Sequence, residues 1–187
     1  FQTIVYIPHF MSWVVAASIF SMILSPTSAG LVNDVLMKLH LITDNIYFLG
    51  DRKWWRFSYY IINVWKDTGW GTIIFMATLA GISPELYEAA SMDGANRFQK
   101  MIYITLPALN NTIVTVLVLN LAKVMNLFES VFVLQNDAVI KVSDVLQTYI
   151  YTQTFNSGAI PDYGYTTAVG MFSSIISCCL LYTSPSP

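Results

Sequence analysis

The sequence predicts an all-α fold, a polytopic bundle of membrane-spanning helices. Hydrophobic residues make up 55% of the 187 residues and charged residues only 11%, whereas soluble domains carry about 25% charged residues. No Asp, Glu, Lys or Arg precedes Asp34. A helix needs roughly 20 apolar residues to cross a bilayer. We therefore expect four spans in lipid, at about residues 1–24, 57–82, 108–133 and 163–182.

The first span includes Pro8, which membrane helices tolerate, and His9, for which we expect a packing role rather than a ligand or proton-relay role. Phe1 lies inside an apolar run without a basic leader, so we expect an internal segment of a longer chain. The polar residues 26–56 follow. There Trp54 and Trp55 predict an interfacial belt, with contact to an external partner as the alternative.

The second span is interrupted by the charged pair Lys66 and Asp67. Charges at this depth are costly unless they are paired or face water. Neighbours on a helix point about 100° apart, so these two side chains need partners elsewhere. They are candidates for a translocation path.

Residues 83–107 form a polar loop between two apolar runs. Ser83 and Pro84 predict a helix start, and Glu85 suits the positive end of the helix dipole. Gly94 predicts the helix end, since glycine adopts the left-handed conformation without penalty. We expect a second short helix over about residues 95–104, which Pro107 ends or kinks.

The third span, at 108–133, contains Asn120, Lys123 and Asn126 at every third position. This spacing places a polar stripe on one side of the helix. Such a stripe faces protein or water rather than lipid. Lining of a solute path and hydrogen bonding between helices both fit the pattern.

A second polar segment, residues 134–162, includes a predicted surface helix over 144–155 with an aromatic face. The last span follows at 163–182. We assign no function to the tail at 183–187. Cys178 and Cys179 are adjacent and lack a CxxC spacing, so neither a disulfide framework nor a zinc site is predicted.

The loop contains Glu88-Ala89-Ala90, three residues, Gly94, nine residues, and then Ile104-Thr105-Leu106-Pro107. This spacing resembles the EAA loop of permease subunits of binding-protein-dependent ABC importers. Residues 6–10, 30–33 and 65–71 are similar to the sugar branch of that family. The resemblance covers roughly residues 1–181.

The resemblance implies a permease fold with cytoplasmic coupling helices at 83–107, in a multi-pass protein of the bacterial cell membrane. It implies four partners: ATP-binding cassette subunits, a second permease subunit, an extracellular solute-binding lipoprotein and a carbohydrate solute, most simply an oligosaccharide. Cofactors are not expected in this chain, because ATP and Mg²⁺ belong to the ATP-binding subunit. The expected coupling residues are Glu85, Glu88, Ala89, Ala90, Asp93, Gly94, Ala95 and Pro107.

Two alternatives and one conflict accompany this interpretation. No Gly-x4-Gly-Lys-[Ser/Thr] loop is present, so the chain is not expected to be an ATPase, and a net charge of −2 gives no reason to expect nucleic acid. A secondary transporter using Lys66 and Asp67 as coupling charges is the main rival, and a membrane scaffold is the other. The positive-inside rule conflicts with a cytoplasmic loop, since residues 26–56 carry more basic residues than 83–107.

Overall fold

The computed structural model describes residues 2–27, 30–156 and 162–182, which are helical with connecting turns. The predicted tail at 183–187 lies outside the described residues. In chain order the α-helices are α1 (Gln2–Tyr6), α2 (Trp13–Ile23), α3 (Leu31–Lys38), α4 (Arg52–Ala80), α5 (Pro84–Met92), α6 (Arg97–Lys100), α7 (Leu106–Val124), α8 (Glu129–Leu134), α9 (Ile140–Ser143), α10 (Leu146–Phe155) and α11 (Tyr163–Tyr182).

The first predicted span is broken rather than straight. α1 continues as a 3₁₀ turn at Ile7–Phe10, and the segments Thr3–Phe10 and Trp13–Ile23 meet at 107°. Ser12 begins α2 by accepting a hydrogen bond from the Val15 N–H at 3.3 Å. A capping serine offers the backbone an alternative to continuing the preceding helix, which explains why the break falls here.

The second predicted span corresponds to α4, a helix of 29 residues that begins at Arg52 rather than near Phe57 and ends at Ala80. Asp51 extends the helix into the polar segment, because its carboxylate accepts a hydrogen bond from the Lys53 N–H at 2.9 Å. Capping of this kind satisfies one of the orphan N–H groups of a helix end. Residues 52–56, which lie before the predicted start, and the charged pair Lys66 and Asp67 make α4 long but comparatively polar.

The third predicted span differs most from the structure. A continuous helix runs from Arg97 to Val124 and includes α6 and α7. The predicted short helix over 95–104 is therefore not separate but forms the first turns of this long helix. Pro107 neither ends nor limits it. A π-helical segment at Met101–Thr105 ends two residues before Pro107, and the Leu106 N–H bonds to the Met101 carbonyl. The wide turn accommodates the missing proline N–H.

Two of the described helices, Arg97–Val124 and Tyr163–Tyr182, are long and apolar enough to cross a membrane, or three if the bent first pair counts as one span. α11 coincides with the fourth predicted span. α4 is long enough but falls short in apolarity, so its role as a span stays a prediction. The predicted third span, 108–133, does not continue to its end, because α7 ends at Val124 and α8 is a separate short helix at Glu129–Leu134. The helices α9 and α10 occupy the second polar segment, and α10 lies where a surface helix was predicted.

The buried core lies where the two polar segments pack together. It consists of Ala17, Leu49, Trp55, Tyr59, Ile62, Val131, Leu134 and Val139. Hydrogen bonds also join the two polar segments. The Trp55 indole N–H donates to the Leu134 carbonyl at 3.0 Å, and the Asn136 amide donates to the Leu49 carbonyl at 2.7 Å. The core is therefore at the opposite end of α4 from the loop at 83–107.

Candidate functional site

α5 is the first element of the predicted coupling loop, and it begins as the sequence indicates. Pro84 occupies its first position and Glu85 its first turn, while Ser83 precedes it without a side-chain capping bond. A proline at this position costs no hydrogen bond. The predicted helix start is confirmed, but the expected Ser83 cap is not formed.

The end of α5 is fixed by Gly94, the described glycine with a positive φ, at +78°. The Gly94 N–H bonds to the Ser91 carbonyl at 3.2 Å and the Ala95 N–H to the Ala90 carbonyl at 2.9 Å. This pair of bonds is the glycine-dependent C-terminal motif of helices. The predicted role of Gly94 in the turn is confirmed.

α6 begins with a capping box that the sequence analysis missed. The Asn96 side chain accepts from the Gln99 N–H at 2.9 Å, and the Gln99 side chain accepts from the Asn96 N–H at 2.8 Å. The spacing of Asn96 and Gln99 could have predicted it. The box places the start of the long helix only two residues beyond the Gly94 turn.

Two hydrogen bonds attach α5 to the long helix that follows. The Tyr87 hydroxyl lies 2.9 Å from the Thr105 hydroxyl, and the Lys100 ammonium donates to the Ser91 hydroxyl at 2.5 Å. Within α5, the Ser91 hydroxyl donates to the Tyr87 carbonyl at 2.7 Å. Thr105 belongs to the π-helical segment. Side-chain bonds therefore link α5 to the segment from which α7 begins.

The outer surface of this loop is largely exposed. Among the predicted coupling residues, Ala90 and Ala95 are half-buried, and the exposed ones are Glu85, Glu88, Ala89, Asp93, Gly94 and Pro107. Large apolar side chains lie on the same surface: Met92 is 89% exposed, and Leu86 and Phe98 are more than half exposed. An apolar surface beside acidic residues is typical of a protein interaction site.

Lys66 and Asp67 have separate partners near the N-terminal break. The Lys66 ammonium donates to the His9 carbonyl at 3.3 Å and lies 5.0 Å from the centroid of the Trp13 ring. Asp67 lies 3.7 Å from His9 Nδ1, measured from Oδ1, which exceeds hydrogen-bond reach. His9 itself stacks on Trp70 at a centroid distance of 5.1 Å. The expectation of partners elsewhere is therefore correct for Lys66, whereas Asp67 approaches the His9 ring without a hydrogen bond.

The predicted polar stripe does not lie on a single helix, because Asn120 and Lys123 belong to α7 and Asn126 lies in the turn that follows it. Asn126 donates to the Ser177 hydroxyl of α11 at 3.4 Å, and the Gln147 amide of α10 approaches Asn126 Oδ1 at 3.5 Å. Asn126 thus joins helices. Asn120 and Lys123 are exposed and form no hydrogen bond or ion pair with the described residues.

A groove of about 460 Å³ lies beside this end of α7. Lys123 and Asn126 line it together with Trp13 from α2 and Glu129 from α8. The remaining walls are mostly apolar: Leu119, Ala122, Leu127, Phe128, Ser130, Ser177 and Leu181. Neither Trp13 nor Glu129 was singled out from the sequence. Periodicity within α7 could not have identified them, since they belong to other helices.

The structure therefore forms two separate regions. The coupling residues gather around α5, whereas Lys123 lies about 17 residues after Leu106 on α7, roughly 26 Å away at 1.5 Å per residue. Asn126 lies in the turn just after α7. Trp13 links the other candidates, because Lys66 lies over its ring and Lys123 shares its groove. Asp67 is directed instead to His9.

Comparison with known proteins gives a consistent result. The family model described as "Binding-protein-dependent transport system inner membrane component" matches residues 1–184. Protein LplB of Bacillus subtilis is 41% identical over 182 residues, which are 97% of this chain and 55% of that protein. The polygalacturonan/rhamnogalacturonan transport system permease protein YteP of the same organism is 39% identical, over 96% of this chain and 54% of that protein.

A solved structure also matches the fold. It is a bacterial ABC transporter involved in the import of the acidic polysaccharide alginate, with a TM-score of 0.89 and 36% identity over 98% of this chain and 62% of that chain. A second solved structure, also with a TM-score of 0.89 and 36% identity, is a bacterial alginate ABC transporter in complex with an alginate pentasaccharide-bound periplasmic protein. The present chain spans about half the length of the curated relatives it matches.

Proposed function

Because this chain belongs to the family of binding-protein-dependent transport system inner membrane components, we propose that it is the permease subunit of an ATP-driven ABC importer for an oligosaccharide or another carbohydrate. The family match over residues 1–184 carries this proposal. The name of the relative YteP, which refers to polygalacturonan and rhamnogalacturonan, supports the class of solute.

In this proposal the chain provides the solute path and not the source of energy. ATP and Mg²⁺ bind to a separate ATP-binding subunit, and a second permease subunit completes the path. An extracellular solute-binding lipoprotein delivers the carbohydrate. Support for the last partner comes from the alginate transporter, which is known with its periplasmic protein bound.

α5 is the proposed docking element for the ATP-binding subunit. Its exposed side chains include Glu88, which would form a charge-assisted contact with a basic residue of that subunit. Exposed Leu86 and Met92 supply apolar area, and Ala89 permits close approach. Rigid attachment through the Tyr87–Thr105 bond would carry movement of the docked subunit into α7.

The groove at the other end of α7 is the proposed part of the solute path in this chain. Carbohydrates offer hydroxyl groups and apolar ring faces, and the groove offers Lys123, Asn126 and Glu129 beside Trp13. Aromatic rings and a few well-placed polar groups are typical of small-molecule sites. Asn120, exposed on the same helix, extends this polar surface toward α5.

Uptake by the purified transporter in lipid vesicles tests the proposal. The chain, its permease partner and its ATP-binding subunit are reconstituted together, and binding protein loaded with labelled oligosaccharide is added outside. We expect uptake that requires ATP hydrolysis and persists when ionophores collapse ion gradients. Uptake driven by an ion gradient without ATP would instead establish a secondary transporter, and the proposal would be wrong.

A further inference from the structure

The break between the two segments of the N-terminal helix leaves a polar backbone end inside the structure. The segments Thr3–Phe10 and Trp13–Ile23 differ in direction by 107°. The last carbonyl groups of a helix have no intrahelical N–H partners, and they form the negative end of the helix dipole. The His9 carbonyl belongs to this end, so it is suited to accept a hydrogen bond from a cation.

Lys66 of α4 occupies that position. Its side chain is only 6% exposed, although a buried ammonium is costly without partners. The ammonium donates to the His9 carbonyl at 3.3 Å and lies 5.0 Å from the centroid of the Trp13 ring, within the range of a cation–π contact. His9 belongs to the first segment and Trp13 begins the second, so one charge contacts both sides of the break.

The surrounding residues of α4 hold the first segment tightly. A Cβ at Gly69 would lie 2.5 Å from the Val5 carbonyl oxygen and 3.0 Å from Tyr6 Cα, so only glycine permits this approach. Trp70 stacks on the His9 ring with 21° between the planes. The first segment is therefore fixed on α4, and the position of Trp13 depends on the angle at the break.

We propose that Lys66 is a positioning residue that holds the break at its observed angle and thereby sets Trp13 in the wall of the groove. This differs from the sequence-based expectation that Lys66 lines the path, since the buried ammonium is turned to His9 and Trp13. The role of Trp13 in solute passage rests on the proposed function. The role of Lys66 at the break does not.

A distance measurement across the break tests the proposal in the assembled transporter. Spin labels are placed at Ile4 and Met22, which are 71% and 72% exposed, in a background carrying Cys178→Ser and Cys179→Ser. An unbroken helix would separate these two Cα atoms by about 27 Å, and the bend shortens that separation. We expect Lys66→Met to lengthen and broaden the distance distribution, and Lys66→Arg to retain the short distance.

Lys53→Met is the matched control, because Lys53 lies on the same helix and is exposed. It should leave the distance unchanged. If Lys66→Met does not assemble, the neutral Lys66→Gln replaces it and is expected to broaden the distribution in the same way. An unaltered distribution in the neutral variant would overturn the proposal.

Uptake kinetics separate this proposal from the proposed function. We expect Lys66→Met to raise the KM for uptake several-fold, through a misplaced Trp13, with partial rescue by Lys66→Arg. A parental transporter that takes up no carbohydrate would contradict the proposed function, yet the label distances would still decide the role of Lys66. If the label distances change but the KM does not, Lys66 holds the angle of the break, and the claim that this angle places Trp13 for solute passage is wrong.

Discussion

At the residue scale, the backbone conformation at Gly94 favours glycine over any other residue. Its φ is +78°, and an added Cβ would meet no described atom within 4 Å. The effect of a substitution there must therefore come from backbone strain and not from crowding. A residue forced into this region costs on the order of 1–3 kcal/mol.

We predict that Gly94→Val displaces the end of α5 and strongly lowers ATP-dependent uptake, because a β-branched residue resists positive φ. Membrane insertion should be normal, as judged by abundance in the membrane fraction. Gly94→Asn should be milder, since asparagine tolerates the left-handed region. Gly71→Val is a space-matched control, because a Cβ at Gly71 also meets no described atom within 4 Å. Wild-type coupling in Gly94→Val would contradict the assignment.

Lys123 and Asn126 are neighbours on the predicted stripe but have different surroundings. Lys123 is exposed in the groove, while Asn126 bonds to Ser177 and accepts from Gln147. We predict that Lys123→Leu changes uptake rate or selectivity at normal abundance. Asn126→Leu should instead reduce the amount of assembled complex, since bonds between membrane helices contribute about 0.6 kcal/mol each. Uptake assays and membrane abundance distinguish the two.

An unaffected double variant of Asn120→Leu and Lys123→Leu would exclude both residues from the path. In that case Lys123 would extend its ammonium to the membrane surface, as long basic side chains near helix ends do. Membrane abundance of the double variant, compared with that of Asn126→Leu, separates a loss of assembly from a change in the path.

At the element scale, the connection of α5 to α7 depends on side chains at the π-helical segment. The Tyr87 hydroxyl meets the Thr105 hydroxyl at 2.9 Å, and Thr105 lies two residues before Pro107. A hydrogen bond of this kind contributes about 0.5–1.5 kcal/mol. Its loss should loosen α5 without unfolding the bundle, whose buried core lies at the other end.

We predict that Tyr87→Phe lowers the number of solute molecules imported per ATP hydrolysed, because α5 then transmits its movement less rigidly. Tyr103→Phe is the matched control: Tyr103 lies in the same π-helical segment and is 77% exposed. Parallel measurement of ATP hydrolysis and uptake gives the ratio. Equal ratios in the two variants would show that the Tyr87 bond does not couple α5 to α7.

The sequence predicted some elements well because their limits are set locally. Pro84 and Gly94 define α5, and a mostly apolar run without Asp, Glu, Lys or Arg defines α11. The long helix Arg97–Val124 was missed, because Pro107 was expected to end or kink a helix and a π-helical turn removes that cost. The break at Ser12 was missed as well. No charge or turn pair marks it, and its geometry depends on contacts of His9 and Trp13 with Lys66, 57 and 53 positions away in the chain.

At the scale of the whole molecule, the orientation in the membrane is the remaining question. The positive-inside rule favours residues 26–56 as the cytoplasmic side. Two of the basic residues there have a structural role: the guanidinium groups of Arg52 and Arg56 donate to the carbonyls of Ala138 at 3.4 Å and Val142 at 3.2 Å. They join the two polar segments to each other. Their presence is thus explained by packing, whichever side they occupy.

We predict that residues 83–107 face the cytoplasm and that the two packed polar segments face outward. Single cysteines replace Met92 and Leu41, both exposed large apolar residues without side-chain hydrogen bonds, in a background carrying Cys178→Ser and Cys179→Ser. An impermeant thiol reagent added to intact cells should label position 41. Position 92 should be labelled only after the membrane is opened, and a bound ATP-binding subunit should then protect it. Labelling of position 92 from outside would reverse the orientation and remove α5 from the reach of a cytoplasmic ATPase.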